Sequence, residues 1–317
     1  MISRYKFDYY HSELRIIYRQ LIILFVLLGI PLSVSALECI NSEFLFDIKG
    51  KINQPSDIAV AADGNIYFVD GVNNRIIVVG RDGRFKFSFG QEGSGKGDFI
   101  RPLGIDITDS GTVFIADTGN HRIQVFDLKG EFKYMFTVKS GPGERPSDPV
   151  DVQASSIQNY LYISDNDNHK IKVYDQNGTY AFEWGAFGEE YGSFRYPGMM
   201  SINEYHEIFI VDVLNTRVQK FDPFGKYITD IGSWGVLQGE LFRPKGVAVD
   251  NQNRVYISDS YMGVVQVFTD LGRYLGVICE DNSLKKFEAP VGLAVSDKKL
   301  FIVEMRGNKL TVLKLSI

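Results

Sequence analysis

The sequence predicts an all-β fold, a six-bladed β-propeller of four-stranded antiparallel blades. The main observation is a run of β-branched and aromatic residues that ends in an acid and recurs about every 47 residues, a period typical of repeat architectures. The six acids are Asp70, Asp117, Asp165, Asp212, Asp259 and Glu304. A proline opens each of the six repeats, at Pro55, Pro102, Pro149, Pro197, Pro244 and Pro290. A turn glycine closes five of them, at Gly83, Gly130, Gly178, Gly225 and Gly272.

The second repeat shows how each unit is built. Its strands are predicted at residues 104–107, 112–117, 122–126 and 132–138, from short apolar stretches without helical spacing. Asp127 and Gly130 lie between the third and fourth strands, where an acid accepts turn hydrogen bonds and a glycine takes a positive φ. Each repeat is therefore predicted to be a four-stranded meander.

The two ends of the chain predict how the ring closes. The last repeat ends at Ile317 after its third strand, whereas residues 44–48 precede the first proline and resemble an unpaired fourth strand. We expect this N-terminal strand to complete the last blade, because closing the circle removes an exposed sheet edge. The predicted propeller domain spans residues 44–317.

The repeats resemble NHL repeats. The resemblance rests on the start Pro244-Lys245-Gly246-Val247-Ala248-Val249, the stretch Asp117 to Phe126, and loops such as Gly97 to Pro102. It covers essentially the whole chain after the N-terminal segment and implies a propeller fold. It does not imply one activity, because NHL propellers include RNA-binding modules, protein-docking modules, sensor domains and at least one metal-dependent lyase.

We predict that residues 1–37 are a separate N-terminal signal peptide or membrane anchor. Leu21 to Leu37 is almost wholly apolar, and the basic residues Arg4, Lys6, Arg15 and Arg19 precede it. Val34-Ser35-Ala36 resembles a cleavage site, while the apolar run is near the lower length limit for a single transmembrane helix. The sequence leaves open whether the segment is cleaved, giving a periplasmic or secreted protein, or retained as an anchor in the membrane. Both alternatives place the propeller outside the cytoplasm, in an extracytoplasmic location.

The charge of the chain argues against a nucleic-acid partner. The formal net charge is −5, and the first 37 residues carry four basic and two acidic side chains, so the propeller carries about −7. A nucleic-acid binder needs a basic face to neutralise phosphates.

The two cysteines are predicted not to pair. Cys279 ends the outer strand of the fifth repeat, and Cys39 precedes the outer strand that closes the sixth. We expect these positions to lie toward opposite faces, farther apart than the roughly 7 Å that a disulfide allows between Cα atoms.

An acid and a basic residue five positions apart recur in most repeats and flank the hairpin between the second and third strands. The predicted pairs are Asp70 with Arg75, Asp117 with Arg122, Asp165 with Lys170, Asp212 with Arg217, and Glu304 with Lys309. A catalytic group would be singular, so we interpret these as structural ion pairs of the repeat.

Singular polar residues lie on the first strands, which are predicted to face the propeller axis. Asp57, Asp106, Asp151 and Gln153 form a candidate site for a hard cation such as calcium, which prefers oxygen ligands. The alternative is a water-filled channel lined by solvated carboxylates. No cofactor is certain from the sequence.

The loops that enter each first strand define what we call the long-loop face. They are residues 90–101, 139–148, 185–196, 232–243 and 280–289, and they vary while the frame stays constant. Arg101, Tyr191, Arg195, Trp234 and Arg243 are the candidate binding residues, because aromatic and arginine side chains are enriched at interfaces. The alternative for the Phe or Leu that recurs before the proline, such as Phe99, is to plug the space between blades.

The sequence therefore favours a binding scaffold for a protein, peptide or glycan partner over an enzyme. It contains no nucleophile with a paired base, no phosphate-binding glycine loop and no specific metal motif. The alternative is a cation-dependent hydrolase or lyase that uses the axial carboxylates.

Overall fold

The computed structural model describes residues 36–155 and 158–317, and the compact unit within them is Glu38–Ile317. The predicted signal peptide or anchor lies outside the described residues, apart from its last two positions. In the part of the chain that the structure describes, no helix has the length and apolar character needed to cross a membrane.

The first four repeats each form a separate four-stranded antiparallel sheet in sequence order. Strand β1 (Cys39–Ile48) precedes them. The first sheet contains β2 (Pro55–Val60), β3 (Ile66–Asp70), β4 (Arg75–Val79) and β5 (Phe85–Phe89), and the second contains β6 (Pro102–Ile107), β7 (Thr112–Asp117), β8 (Arg122–Asp127) and β9 (Phe132–Thr137). The third contains β10 (Pro149–Ser155), β11 (Tyr160–Asp165), β12 (Lys170–Asp175) and β13 (Tyr180–Trp184), and the fourth contains β14 (Pro197–Ile202), β15 (Ile208–Asp212), β16 (Arg217–Phe221) and β17 (Tyr227–Ile231). Two 3₁₀ turns, Gly71–Asn73 and Thr118–Asn120, follow β3 and β7.

The fifth and sixth repeats join β1 in one nine-stranded sheet. Its other strands are β18 (Pro244–Val249), β19 (Arg254–Asp259), β20 (Val264–Thr269), β21 (Tyr274–Glu280), β22 (Ser283–Leu284), β23 (Pro290–Ser296), β24 (Lys299–Glu304) and β25 (Lys309–Leu315). The order is β18-β19-β20-β21-β1-β25-β24-β23, with β22 paired to β21. Strand β1 pairs antiparallel with β25, as predicted, and its first three residues also pair in parallel with β21.

The first strands of all six repeats line one cavity, so the sheets surround a common axis. The prediction of an all-β propeller of four-stranded antiparallel sheets is confirmed. In the second repeat, β7 has the predicted bounds, and the other three strands differ from the prediction by two residues or fewer at each end.

The prediction that the two cysteines lie apart is wrong. Cys39 and Cys279 form a disulfide, with their Cα atoms 5.5 Å apart. The sequence placed the start of the N-terminal strand at Phe44, whereas β1 begins five residues earlier and runs alongside the end of β21. The covalent bond therefore joins the start of β1 to the end of β21.

The core lies between neighbouring sheets. One cluster contains Tyr67 and Ile76 from the first repeat with Ile105 and Ile115 from the second. The predicted plug is confirmed at Phe99, which is fully buried in the same cluster. Gly90 makes room for it, because a Cβ added there would lie only 2.4 Å from the Phe99 ring.

Candidate binding surface and axial channel

The repeated acids hold the long loops in place. Asp117 is fully buried; one of its oxygens accepts a hydrogen bond from the Ile100 amide at 2.9 Å, and the other binds Nε of Arg122 at 2.7 Å. The Arg122 guanidinium donates onward to the carbonyls of Ser94, Gly95 and Asp98 within residues 90–101. The ion pair thus fixes a loop as well as a hairpin. We call such an acid and the groups bound to it a hub.

The fourth repeat has the same hub. Asp212 accepts hydrogen bonds from the Arg195 amide at 2.8 Å and from Nε of Arg217 at 3.0 Å. The Arg217 guanidinium then binds the carbonyls of Glu189 and Glu190. The ion pairs Asp70–Arg75, Asp117–Arg122, Asp212–Arg217 and Glu304–Lys309 are confirmed.

Sequence reasoning missed a further member of the hub, a glutamine seven residues after the acid. Gln124 and Gln219 each donate to the hub acid and accept the amide of a loop glycine at 2.9 Å. Gln266 accepts the amide of Gly239 in the same way. The recurrence of glutamine at this position was the available signal.

The predicted pair of Asp165 with Lys170 is wrong. These residues are cross-strand partners, but the Lys170 ammonium binds Glu144 at 2.6 Å and also Glu183. Asp165 pairs instead with Lys172, at 3.0 Å, and both side chains are fully buried. Glu144, from the third repeat's long loop, gives Lys172 a second carboxylate partner. The spacing of residues along the strands did not predict this contact.

The two lysines lower the pKa of the Glu144 carboxyl. Burial raises the pKa of its carboxyl, but hydrogen bonds from Lys170 and Lys172 outweigh burial and bring the pKa to about 2. Glu144 is therefore ionised in the folded protein and holds residues 139–148 against the sheet.

The axial carboxylates bind backbone amides of the next repeat. Asp57 accepts the Ile105 amide at 3.0 Å, Asp106 the Ala154 amide at 2.8 Å, and Asp151 the Met200 amide at 2.6 Å. These hydrogen bonds link the first repeat to the second, the second to the third, and the third to the fourth.

The junction between the fifth and sixth repeats uses close backbone approach. Gly246 occupies the position equivalent to Asp57 in the fifth repeat, and a Cβ added there would lie 2.0 Å from the Val291 carbonyl oxygen. Ser258 donates its hydroxyl to that same carbonyl at 2.7 Å. A Cβ at Gly246 would therefore not fit at this junction.

Asp57, Asp106 and Gln153 line a cavity of about 220 Å³ together with Ser201, as predicted, while Asp151 is not part of its lining. Burial raises the pKa of Asp57 to about 7 and that of Asp106 to about 6, against the hydrogen bonds from backbone amides. Burial, then the charge of Asp57, raises the pKa of Asp151 well above its usual range.

These residues do not form a calcium site in the observed geometry. Within residues 36–155 and 158–317, no group of three or more histidine, cysteine, aspartate or glutamate side chains is arranged to hold a metal ion. Hard cations need several converging oxygens, whereas these three acids each direct an oxygen to an amide.

The long-loop face carries exposed aromatic side chains. Trp234 is 71% exposed, Tyr191 is 70% exposed and Phe187 is 66% exposed. Tyr191 stacks on Tyr227 with ring centroids 4.7 Å apart, which fixes its orientation. Exposed aromatic groups held in place by the frame are suited to contact a partner at low entropic cost.

Two of the predicted binding residues share one pocket. Arg195 and Trp234 line a cavity of about 260 Å³ between the fourth and fifth repeats, with Leu214 and the hub residues Asn215 and Arg217 on its other walls. We call it the Arg195–Trp234 pocket.

Inside this pocket Arg195 is only partly satisfied. Its Nη1 binds Glu189 at 2.9 Å, but its buried Nε has no hydrogen-bond partner among the described residues. A buried donor without an acceptor is unfavourable in the folded protein.

The other predicted binding residues lie outside this pocket. Arg101 is exposed, with one guanidinium nitrogen 4.0 Å from Asp148, and Tyr191 packs on Tyr227. Arg243 is also exposed, and its amide is held by Asp259. The structure thus brings two of the five candidates together.

Comparisons with known proteins agree with this architecture. The family model for the NHL repeat matches residues 99–126 and 243–268. No curated protein sequence matches the chain.

Solved structures share the fold at low identity. A streptogramin B lyase structure aligns with TM-score 0.62 and 14% identity over 87% of this chain and 98% of that one. A gluconolactonase from Xanthomonas campestris gives 0.63 and 14%, over 84% and 88% of the two chains. A protein of unknown function from Bacteroides thetaiotaomicron gives 0.68 and 15%, over 89% and 75%. Likeness at this identity supports the fold and not the activity.

The sheets around one axis and the repeated hubs define the class of molecule, a β-propeller of sequence repeats. Two stretches of the chain, in the second and fifth repeats, match the family model for the NHL repeat.

Proposed function

We propose that this NHL-repeat propeller is an exported binding scaffold that captures a segment of a partner protein on its long-loop face. The observation that carries the proposal is the Arg195–Trp234 pocket. It combines an exposed indole, an apolar wall at Leu214, which is 51% exposed, and a buried arginine donor without a partner. Such combinations are typical of the anchor positions of protein interfaces.

The pocket is built to be rigid. Asp212 holds the Arg195 main chain, and Arg217 holds the carbonyls of Glu189 and Glu190 on the same loop. A preformed pocket loses little conformational entropy on binding, which favours affinity for a short segment.

We propose that the propeller has six blades. The nine-stranded sheet is taken as two blades whose strands are joined where the first three residues of β1 pair in parallel with β21. The regular spacing of the six repeats and the antiparallel pairing of β1 with β25 support this count.

The proposal also places the propeller outside the cytoplasm. The disulfide Cys39–Cys279 supports this location, because disulfides form and persist in oxidising compartments. The predicted apolar segment Leu21 to Leu37 supports it independently. Alkylating the full chain from its natural source without reductant should label neither cysteine, and labelling of both would contradict export.

Binding is preferred to catalysis because the axial acids are engaged in holding the repeats together. Two similar folds belong to a lyase and a gluconolactonase by their descriptions, but their identity to this chain is only 14%. Asp57, Asp106 and Asp151 each direct an oxygen to a backbone amide of the next repeat.

The test is selection of peptides from a displayed library on the immobilised full chain in mild detergent. Trp234→Ala should weaken the selected peptides by at least about tenfold, because anchor truncations at interfaces typically have effects of this size or larger. Phe224→Ala is the matched control. It is equally exposed but lies in the turn between β16 and β17, at the opposite end of the sheet. Equal binding by the wild type and Trp234→Ala would refute the proposed site.

A further inference from the structure

Lys245 carries a charge at a strand position that is uncharged in the other five repeats. It directly follows Pro244 at the start of β18 and is half-buried. The equivalent positions of the other repeats hold Ser56, Leu103, Val150, Gly198 and Val291, none of them charged. Within the described part of the chain, its ammonium has no hydrogen bond or ion pair, and a half-buried cation without an anion is unfavourable.

A second cation lies beside it. Burial lowers the pKa of Lys245, and the positive charge of Arg243 lowers it further, with no carboxylate acting in the opposite direction. Arg243 is exposed, and among the described residues its guanidinium also has no partner. Arg243 and Lys245 are two residues apart where β18 begins, and neither has an anionic partner among the described residues, so this segment can accept an anion.

The nearby hub acid does not neutralise the pair. Asp259 is fully buried and accepts four backbone amides, those of Phe242, Arg243, Tyr261 and Met262, at 2.6 to 3.1 Å. The fifth repeat has Val264 where most repeats place the arginine or lysine of the hub. Asp259 is therefore occupied by the main chain, and the two cations remain without an acidic partner.

An aromatic surface adjoins the cations. Phe242 precedes Arg243, and its ring lies 4.5 Å from that of Tyr261, measured between centroids. Tyr261 is 62% exposed. A free phosphate or other small anion would not use this surface, whereas a peptide can place an aromatic side chain beside its carboxylate.

We propose that Arg243 and Lys245 bind a carboxylate side chain of an acidic peptide segment, and that Phe242 and Tyr261 receive an aromatic side chain of the same segment. This inference rests on the proposed function and specifies the chemistry of the partner. The bound carboxylate would supply the missing partner of Lys245, through charge-assisted hydrogen bonds.

Two capped hexapeptides test the inference, one alternating glutamate with tyrosine and the other glutamine with tyrosine. Each is titrated by calorimetry into the full chain in mild detergent. The glutamate peptide should bind at least about tenfold more tightly than the glutamine peptide. Lys245→Met should abolish this preference. Lys226→Met is the matched control, because Lys226 is an exposed lysine in the turn between β16 and β17, and it should leave the preference unchanged.

A second readout does not depend on affinity. Lysines are dimethylated with ¹³C, and the signal missing from Lys245→Met is assigned to Lys245. Its titration should move to higher pH when the glutamate peptide is bound, since an added carboxylate favours the charged form.

Equal affinity for both peptides, no binding of the glutamate peptide, or a preference that survives Lys245→Met would overturn the inference. Saturation of the Lys245 signal by inorganic phosphate without peptide binding would overturn it too, in favour of a free anion. Trp234→Ala separates the two proposals. If it weakens the library-selected peptides while Lys245→Met leaves the glutamate preference intact, the binding scaffold stands and the carboxylate site fails.

Discussion

Glu144 and Asp57 are both carboxylates that the fold removes from water, yet their pKa values move in opposite directions. Glu144 lies in the third repeat's long loop, where two lysines bring its pKa to about 2. Asp57 lies at the axis, where it meets only backbone amides and its pKa rises to about 7. At Asp57 the backbone hydrogen bonds do not offset the effect of burial on the pKa, whereas at Glu144 the hydrogen bonds from two lysines do.

Acidic residues have two uses in this repeat architecture, one in the hubs and one at the axis. Hub acids recur, most of them pair with a cation, and they fix loops of the long-loop face. Axial acids occur in the first three repeats and join each repeat to the next through amides. Where the axis has glycine instead, as at Gly246, the chains approach directly.

The largest effect is expected from removing a hub cation. Arg122→Ala leaves Asp117 fully buried without its ion pair and frees the three loop carbonyls that Arg122 binds. We expect a loss of about 3–5 kcal/mol in the free energy of unfolding, the range seen when one partner of a buried pair is removed. Urea unfolding of the full chain measures it.

Arg75→Ala is the matched control for that change. Its side chain is 30% exposed, against 8% for Arg122, so water can replace part of the lost interaction with Asp70. We expect a clearly smaller loss. Equal losses would show that the burial of the cation does not determine the strength of the hub.

A smaller loss is expected at Glu144. The pKa of this group is lower in the folded protein than in the unfolded chain, so it stabilises the fold above about pH 4.5, and this contribution disappears as the pH falls toward about 2. Glu144→Gln should lower the free energy of unfolding by about 1–3 kcal/mol at neutral pH. Urea unfolding at a series of pH values should show the difference shrinking in acid, and a pH-independent difference would contradict this interpretation.

The sequence predicted the frame well because the frame is local. Strand β7 begins at Thr112 and ends at Asp117 as predicted, since alternation, turn residues and the repeat period all specify the same bounds. Hub pairs such as Asp117–Arg122 followed from their spacing across one hairpin.

The errors came from contacts that the local pattern does not encode. Lys170 faces Asp165 across the strands, but its ammonium forms an ion pair with Glu144, which lies in a loop of irregular shape. Cys39 pairs with Cys279 because β1 extends beyond its apolar segment, and nothing in residues 39–43 indicated that extension. For the candidate site, Arg195 and Trp234 were both predicted, but their shared pocket depends on how two loops fold.

The smallest effect, and the one of opposite sign, is expected at the axis. Between about pH 4 and pH 7, folded Asp57 holds a proton that the unfolded chain releases, so this group makes the fold less stable as the pH rises through that range. Asp57→Asn removes the charge and keeps an oxygen for the Ile105 amide. The variant should match the wild type near pH 4 and exceed its free energy of unfolding by about 1–2 kcal/mol near pH 8. Glu92→Gln, at an exposed position of the loop at residues 90–101, is the control and should change neither value. A loss of stability in Asp57→Asn at pH 8 would mean that ionised Asp57 strengthens the junction between the first two repeats, and the contrast with Glu144 would then fail.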